Sequence, residues 1–596
     1  MAIIRAAALL VLASSVGVSG VSRPAIDSYD YIIIGAGTSG LVVANRLSEE
    51  ASVTVAVIEP GSDERDNPNV TTTVFGTGLN TPVDWVYSSV NQSRAGNRAF
   101  DLHAGKAWGG TSAINGMTYI RGNVAEFDAW EELGNPGWNW NSIFGYFKKS
   151  EKYTIPTDSQ LAAGATFESQ YHGFRGPLHV GYTPALKNGS FAPVVRDTWA
   201  GLSVTHNPDL NSGDVRGYGM GPQTLDAALN MRWDAARAYL HPAEHRPNLK
   251  VLKGTVKRIT WATGKHATGR LVADGVEVVT DDGKSTVLSA KKEIIVSAGA
   301  LRTPLVLEGS GIGNPRILKS LGIETRVDLP GVGENLIEQP SHFLLFSGDL
   351  QDSSASAYHS YVTIADLFGA DVAAVEAATR ANIPKWAKAA ADASGARSLD
   401  ACALEKVLKI QHDLLFKHNV TAAEILLAIA PDNVLASNYW ALFPFSRGSV
   451  HLKSADKINE PLVDPRIFLA DFDLSIMVAA GKVAQKFWLS EPMKTKGTVI
   501  GPIVPEEVDL PNNATNAQWQ LYLRDTVVAN SHPTGTAAMM SRALGGVVDP
   551  ELRVYGTANV RVVDASVVPL QVSGHLTATL YGLAERASDI IKRTTH

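Results

Sequence analysis

A glycine-rich turn between an apolar strand and a helix constrains this chain more than any other feature. Residues 31–45 read YIIIGAGTSGLVVAN, where an apolar run ends in glycines and passes directly into an amphipathic segment. In a dinucleotide-binding βαβ unit, Gly35 permits the sharp turn, Gly37 lets backbone approach a pyrophosphate, and Gly40 lets helix and strand pack closely. The N-terminus of the helix then offers free N–H groups and a positive dipole end to phosphates.

An acidic residue follows at the distance that this motif requires. A second apolar run, residues 53–58, ends in Glu59, which lies 19 residues beyond Gly40. A carboxylate at this place can bind the hydroxyls of an adenosine ribose. Because the glycines, two strands and an acid occur together, the segment predicts dinucleotide binding rather than an incidental strand–helix turn.

The start of the chain has the layout of a cleaved secretory signal. Arg5 precedes an apolar stretch at residues 6–18, and small residues follow up to Gly20. A membrane anchor is excluded because a spanning helix needs about 20 apolar residues. We therefore expect residues 1–20 to be removed and the mature protein to be secreted. Five Asn-x-Ser/Thr tripeptides fit a secreted glycoprotein: Asn69, Asn91, Asn188, Asn419 and Asn513.

Composition excludes several other classes of protein. The chain has 596 residues and a net charge of −6, without a basic stripe, so nucleic acid is not an expected partner. Later apolar runs are short and interrupted by charge, so we expect no membrane association. The single cysteine, Cys402, excludes an intrachain disulfide, and its helical surroundings favour a small buried apolar residue over a reactive thiol. No His/Cys/Asp cluster has metal-ligand spacing, so we expect no metal.

The order of the elements predicts an α/β fold whose nucleotide domain is assembled from distant pieces. We expect residues 248–252 and 271–279 to form a strand pair, and residues 292–299 to form a strand that feeds a second glycine turn. Residues 559–564 form a predicted last strand that ends in an acid. The intervening chain then belongs to a second domain. In it, residues 355–420 are expected to be mainly helical, and residues 447–453 to form a strand of a substrate-side sheet.

Five segments spread over the chain resemble the signatures of the glucose–methanol–choline (GMC) flavoprotein oxidoreductases. They are the nucleotide motif at 35–59, GKAWGGTSAINGM at 105–117, GALRTPLVLEGSGIG at 299–313, NSHPTGT at 530–536, and VVDASVVP at 562–569 leading to Gly574 and His575. The bulky Trp108 is a departure from the second signature. The chain is most similar to the fungal glucose oxidase and FAD-dependent glucose dehydrogenase branch.

The resemblance implies a Rossmann-like FAD-binding domain and a substrate-binding domain with an antiparallel sheet and helices, their segments interleaved. Residues 28–335 would form the FAD-binding domain with substrate-domain insertions, residues 336–530 mainly the substrate domain, and residues 531–594 a C-terminal part that completes the site. Some members attach FAD to a histidine where this chain has Ile114, so we expect non-covalent FAD. The residues implied to hold FAD are Gly35, Gly37, Thr38, Ser39, Gly40, Glu59, Gly105, Gly109, Gly110, Thr111, Asn115, Gly116, Met117, Thr118, Val256, Asp564 and Ala565.

Two histidines occupy the catalytic positions of the family. Oxidation of an alcohol removes the hydroxyl proton while a hydride leaves the same carbon, so the protein must supply a base. Imidazole, with an ordinary pKa of about 6.5, suits that role near neutral pH. By resemblance, His532 is the base, and His575 orients the substrate oxygen and stabilises alkoxide charge. Three other histidines are expected to be structural or surface residues: His103, His342 and His451.

The substrate positions depart from the sugar-active pattern. Val528 stands where that branch has an arginine, and Phe75 where it usually has a tyrosine, whereas Glu424 and Asn530 keep sugar-site residue types. Replacing a guanidinium with an isopropyl group removes strong directional hydrogen bonds. We therefore expect an alcohol substrate other than D-glucose, either a sugar or a less polar alcohol of secondary metabolism. Residues 336–339, LIEQ, also differ from the usual Gln-Asp pair.

The leading interpretation is therefore an FAD-dependent oxidation of a CH–OH group, in a monomer or homodimer, with O₂ or a quinone as electron acceptor. A second is a lyase or cyclase on the same fold that retains FAD without net redox chemistry. A third is a non-catalytic secreted binding protein, against which the histidine pair and the complete FAD signatures argue.

Overall fold

The structure, a computed structural model, describes residues 28–348, 350, 357–430, 434–496, 499–506 and 510–594. The expected signal segment, residues 1–20, lies outside the described residues. Numbered along the chain, the strands are β1 (Ser28–Ile34), β2 (Val55–Glu59), β3 (Asp84–Ser88), β4 (Asp101–Gly105), β5 (Glu151–Tyr153), β6 (Leu178–Val180), β7 (Gly217–Gly219), β8 (Leu225–Asp226), β9 (Met231–Arg232), β10 (Leu249–Lys253), β11 (Thr255–Lys265), β12 (Leu271–Val279), β13 (Ser285–Val296), β14 (Ile312–Gly313), β15 (Val327–Asp328), β16 (Pro340–Gly348), β17 (Ala357–Thr363), β18 (Thr421–Ala430), β19 (Val434–Ala441), β20 (Ser449–Leu452), β21 (Pro461–Asp464), β22 (Val499–Val504), β23 (Val528–Ala529) and β24 (Val560–Val562).

The α-helices are α1 (Thr38–Leu47), α2 (Pro68–Thr71), α3 (Val124–Glu132), α4 (Trp140–Ser150), α5 (Asp158–Ala162), α6 (Phe191–Gly201), α7 (Thr303–Gly309), α8 (Pro315–Ser320), α9 (Ile364–Phe368), α10 (Val372–Ala393), α11 (Ala401–Phe416), α12 (Asp471–Leu489), α13 (Met493–Lys496), α14 (Asn516–Thr526) and α15 (Leu576–Thr594). With the strands, they form an α/β molecule with two large sheets, in agreement with the expected fold class.

The first large sheet is the nucleotide-binding one. Its strand order is β10-β2-β1-β13-β12-β11. β24 pairs with residues 294–296 of β13, whereas β12 pairs with residues 285–289 of the same strand. β10, β2, β1, β13 and β24 run parallel, whereas β11 and β12 are antiparallel. Helices α1 and α15 pack against each other next to this sheet. The sheet is completed only by β24, so the predicted assembly from both ends of the chain is confirmed.

Local sterics explain the glycine turn after β1. Residues 32–34 are almost fully buried between β2 and β13. Gly35 has φ +107°, and a Cβ added there would lie 2.4 Å from the carbonyl oxygen of Ser297. A Cβ on Gly40 would lie 2.1 Å from the carbonyl oxygen of Gly35. Only glycine fits at these two positions, because both the left-handed backbone and the helix–strand contact exclude a side chain.

The second large sheet is antiparallel and has the order β22-β16-β19-β18-β17-β7, with β23 added to β16. Helix α12 packs against β16, β18 and β19 on one face. Alternate residues on the other face line a cavity shared with the nucleotide-binding sheet.

Several predicted strands are present but pair with other strands than expected. Residues 248–252 and 271–279 both contain strands, but β10 pairs with β2 and β12 lies between β11 and β13. Strand β20, predicted for the substrate-side sheet, instead pairs with β21 in a separate two-stranded sheet. The region 355–420 is mainly helical as predicted, although it also contains strand β17. In each case the pairing depends on distant segments, which a local pattern does not specify.

Cys402 is exposed, so the prediction that it is buried was wrong. It lies on the outer side of α11, whose buried residues are Ala403, Leu404, Val407, Leu408, Gln411, His412, Leu414 and Leu415.

The surface is compatible with glycan attachment. Asn91, Asn188, Asn419 and Asn513 are exposed, and Asn69 is half-buried. Among the described residues, no helix is long and apolar enough to cross a membrane.

Candidate active site

One large cavity of about 1160 Å³ extends from the glycine turn after β1 to the open face of the second sheet. Gly40 and Gly109, two of the residues expected at the cofactor, do not line it. The other expected cofactor residues all do: Gly35, Gly37, Thr38, Ser39, Glu59, Gly105, Gly110, Thr111, Asn115, Gly116, Met117, Thr118, Val256, Asp564 and Ala565. The same cavity is lined by His532, His575, Asn530, Val528 and Phe75, but not by Glu424.

Two glycine loops meet at the nucleotide end of the cavity. A Cβ on Gly110, which has φ +54°, would lie 2.6 Å from the Cα of Gly37. Gly37 itself has open space, since an added Cβ would meet nothing closer than 3.9 Å. The hydroxyls of Ser39 and Ser297, both on the cavity wall, are buried without a hydrogen-bond partner among the described residues. Bare backbone and unpaired donors beside a helix N-terminus fit the pyrophosphate of a dinucleotide.

Two buried carboxylates frame this end. Glu59 accepts hydrogen bonds from the backbone N–H of Ala36 at 2.9 Å and of Gly61 at 2.7 Å. Asp564 accepts from Gly299 N–H at 2.9 Å and from Thr303 Oγ1 at 2.6 Å. Burial raises the pKa of both carboxyls, although these hydrogen bonds counteract it. Glu59 is placed at the end of β2, as the ribose-binding role requires, and Asp564 ties the chain after β24 to the turn after β13.

The segment 114–118 lies between the two ends of the cavity. Ile114 is 2 % exposed, where a covalent attachment would require a nucleophile. Asn115 donates to Thr577 Oγ1 at 3.1 Å and accepts from Arg232 at 2.9 Å, which fixes its amide. Met117 has φ +64° and is buried.

The two expected catalytic histidines face each other in the cavity wall. The ring centroids of His532 and His575 are 5.6 Å apart, with an interplanar angle of 76°. Trp440, which the sequence reasoning did not identify, packs nearly perpendicular to both rings at 6.4 and 5.7 Å. The histidines come from two loops of the last 65 residues, after β23 and before α15.

The hydrogen-bond network of His532 favours a basic Nε2 atom. Gln339 Oε1 lies 2.8 Å from His532 Nδ1 and accepts from Asn530 Nδ2 at 3.2 Å, while Asn530 Nδ2 lies 3.0 Å from the same Nδ1 atom. Because the Gln339 carbonyl oxygen is the nearer partner of Nδ1, and the Asn530 amide can donate to Gln339 instead, we assign the proton to Nδ1, which leaves the lone pair on Nε2. Burial, followed by the nearby His575, lowers the pKa of His532 to about 3. The imidazole is therefore neutral at physiological pH.

Glu424 lies behind the histidines rather than in the cavity wall. Its Oε1 accepts from His359 Nδ1 at 2.7 Å and from His575 Nε2 at 3.2 Å. Burial alone would raise its pKa, but these two histidines outweigh it and bring the pKa to about 2. The ionised carboxylate therefore holds both rings by hydrogen bonds.

Nothing in the sequence indicated that His359 belongs to the site. The ligand atoms of His359, Glu424 and His575 lie within 4.8 Å of one another, although the residues are far apart in sequence and their spacing matches no metal motif. Alternation along β17 and β18 places His359 and Glu424 on one face only once the pairing of these strands is known. Hydrogen bonding accounts for this cluster.

Val528 lies at the edge of the same face. It pairs with Ser341 of β16, which is paired in turn with Trp440 of β19. A guanidinium does line the cavity nearby, but it comes from Arg98, whose Nη2 donates to the Val527 carbonyl at 2.7 Å. Phe75 lies beside Gly116 and is 64 % exposed at the cavity mouth.

The three histidines expected to be structural or surface residues have the following surroundings. His103 pairs with Asp84 at 2.6 Å, although it also lines the cavity. His342 is buried, and burial lowers its pKa to about 4. His451 lies between Glu308, at 2.7 Å, and Glu334, at 3.2 Å. Although burial opposes it, hydrogen bonding to both carboxylates raises the pKa of His451 to about 10.

Comparison with known proteins decides the family. Sequence models of the GMC oxidoreductase family match residues 29–341 and 444–584. The chain is a GMC oxidoreductase. The glucose oxidase-like protein fsoC of Humicola fuscoatra is 70 % identical over 591 residues, with 99 % of each chain covered.

Solved structures agree with this GMC assignment. An FAD-dependent oxidoreductase from Chaetomium thermophilum superimposes with a TM-score of 0.86 at 28 % identity, covering 95 % of this chain and 99 % of that one. A fungal aryl-alcohol oxidase gives a TM-score of 0.84 at 27 % identity with the same coverage. The protein is thus an oxidoreductase of the class that acts on CH–OH groups, and FAD is the cofactor indicated by its relatives. The glycine cradle and the unpaired hydroxyls described above fit that cofactor.

Proposed function

We propose that this GMC oxidoreductase is a secreted enzyme that oxidises an alcohol to a carbonyl compound, with His532 as the base. The observation that carries the proposal is the arrangement of His532 and His575. Their rings face each other in the wall of the cavity that also contains the glycine cradle. When bound, FAD supplies the hydride acceptor at flavin N5.

The side chains divide the remaining work. His532 accepts the hydroxyl proton at Nε2, because its Nδ1–H is held by Gln339. His575, hydrogen-bonded to the Glu424 carboxylate, orients the substrate oxygen and stabilises negative charge that develops on it. Trp440 packs against both rings and restricts their orientation. Asn530, which contacts Gln339 and lines the cavity, can bind a second polar group of the substrate.

The position of Val528 supports a substrate other than D-glucose. Its isopropyl group lies at the sheet edge beside Ser341, where it offers no hydrogen bond to a sugar hydroxyl. The guanidinium of Arg98, which also lines the cavity, donates to the backbone carbonyl of residue 527. A less polar alcohol therefore fits this wall better.

The attachment of FAD, secretion and the electron acceptor are each supported by one observation. The buried apolar side chain of Ile114 supports non-covalent FAD. Exposed glycan acceptor sequences support passage through the secretory pathway. Similarity to a glucose oxidase-like protein and an aryl-alcohol oxidase supports O₂ as the electron acceptor.

Anaerobic titration of the yellow holoenzyme with a panel of alcohols tests the proposal. The panel contains D-glucose, other aldoses, aryl alcohols and aliphatic alcohols, and the oxidised flavin absorbance is followed. Bleaching by an alcohol supports the oxidation. Conversion of a compound without bleaching would contradict it in favour of a lyase or cyclase that keeps its flavin oxidised.

A further inference from the structure

The open face of the second sheet carries three rows of side chains, defined by the strand register. Directly paired residues on neighbouring strands share a face, and every second residue along a strand returns to it. The first row, beside the two histidines of the site, is Tyr361, Glu424, Trp440, Ser341 and Val528. The second row is His359, Leu426, Asn438 and Phe343, and the third contains Ala357 and Ala428.

Polar character decreases from the first row to the third. Leu426, Ala428 and Ala357 line the cavity without being buried, although their strands lie well inside the sheet. Asn438, a polar residue of the second row, accepts a hydrogen bond from Ser341 Oγ at its Oδ1 atom, at 2.8 Å. The wall next to β17 is continued by two buried apolar side chains that also line the cavity, Leu186 and Met220.

The charged side chains of the cavity wall lie elsewhere. Glu59 and Asp564 belong to the nucleotide end. The segment that contains Arg98 and His103 runs along residues 527–531, at the β23 edge of the sheet. Apart from His359, which is held by Glu424, no charged or titratable side chain of the described residues belongs to the second or third row.

The distance between the rows sets the length of a substrate that would cover them. A strand rises about 3.3 Å per residue, so the third row, four residues further along β18, lies about 13 Å from the first. A single sugar ring at the histidines would leave the apolar side chains of the second and third rows facing water, namely Phe343, Leu426, Ala357 and Ala428. An apolar body that extends from the reacting carbon would cover them.

We propose that the substrate is an alcohol with an elongated apolar body, which lies along the second and third rows while its CH–OH group meets His532 and His575. This inference rests on the proposed alcohol oxidation and specifies its substrate class. It predicts selection by apolar length rather than by hydroxyl number. Each buried methylene should raise kcat/KM about fourfold until the body reaches about 13 Å.

The test uses holoenzyme and two homologous series, n-alkan-1-ols and ω-phenyl-alkan-1-ols, with D-glucose as the polar reference. The rate of anaerobic flavin reduction is measured against alcohol concentration for each compound. Leu426→Asn should flatten the dependence of the reduction rate on chain length. Leu521→Asn, at a side chain 68 % exposed on α14, serves as the matched control and should keep the full dependence.

The outcomes test the elongated substrate and the alcohol oxidation separately. A steep rise with length that Leu426→Asn removes supports the elongated substrate. Reduction that is independent of length, or that is best with D-glucose, overturns the elongated substrate but leaves alcohol oxidation intact. Failure of every alcohol to reduce the bound flavin contradicts the proposed function itself.

Discussion

Gln339 Oε1 lies 2.8 Å from Nδ1 of His532, nearer than the Asn530 amide nitrogen at 3.0 Å, and can hold a proton on that nitrogen. Gln339→Met removes the acceptor while keeping the length of the side chain. We expect kcat to fall about fivefold to tenfold, as for the loss of a hydrogen bond worth about 1 kcal/mol, with KM little changed. Steady-state kinetics per bound FAD measure this. A loss confined to FAD content or thermal stability would indicate a merely structural role.

The low pKa of His532 predicts an unusual pH profile. Because burial lowers that pKa from the ordinary 6.5 to about 3, the neutral base is present at all higher pH values. Protonation of His532 should therefore reduce kcat/KM only near pH 3, and His532→Ala should reduce it about 100-fold or more. His418→Ala, at an exposed histidine, is the control. A loss centred near pH 6.5 would contradict the assignment.

Val528→Arg restores a multi-donor side chain at the edge of the sheet. We expect kcat/KM for D-glucose, relative to a phenyl-alkanol, to rise about tenfold or more, because hydrogen bonds to sugar hydroxyls discriminate strongly. Val528→Leu, which adds volume without donors, should leave the ratio low. Equal ratios in both variants would show that position 528 does not determine specificity.

His451 stabilises two buried carboxylates. His451→Leu leaves Glu308 and Glu334 without their shared cation, so we expect a loss of about 3–5 kcal/mol in the free energy of unfolding. The pKa of His451 is raised to about 10 in the folded state, so its contribution is complete below pH 6.5 and is lost as the pH rises toward 10. Urea unfolding at pH 6 and pH 9 measures both effects. A wild-type protein equally stable at both pH values would contradict them.

Removal of the cofactor tests how it is held. With Ile114 in place of a histidine, acid precipitation of the holoenzyme should leave all flavin absorbance in the supernatant. Refilling the apoprotein with FAD should then restore activity. A yellow pellet that resists washing would reveal a covalent bond.

The sequence predicted features that depend on local sterics. The left-handed backbone at Gly35 and the helix–strand contact at Gly40 are set by residues within one turn, so the glycine pattern alone indicated them. The exposure of Cys402 follows from helical periodicity as well, although we predicted a buried side chain. Helical periodicity places Cys402 on the side of α11 opposite Leu404 and Val407, together with exposed Lys406.

Features that depend on strand pairing could not be predicted from the sequence. Nothing near residue 359 indicates that its histidine meets Glu424, since the contact follows from the register of β17 against β18. The partner of β10 is β2, nearly 200 residues earlier, and the predicted pairing with residues 271–279 followed sequence proximity instead. Gln339, in the segment that departs from the family pattern, became interpretable only once its distance to His532 was known.

The placement of β24 has a consequence for biosynthesis. This strand, Asp564 and the two histidines proposed as catalytic lie within residues 532–575, yet β24 pairs with the middle of the nucleotide-binding sheet. A growing chain folds its N-terminal parts first, so here the cofactor cavity stays incomplete until residues 532–575 have been synthesised. A message interrupted before codon 532 would therefore yield a chain that lacks β24, Asp564 and both histidines.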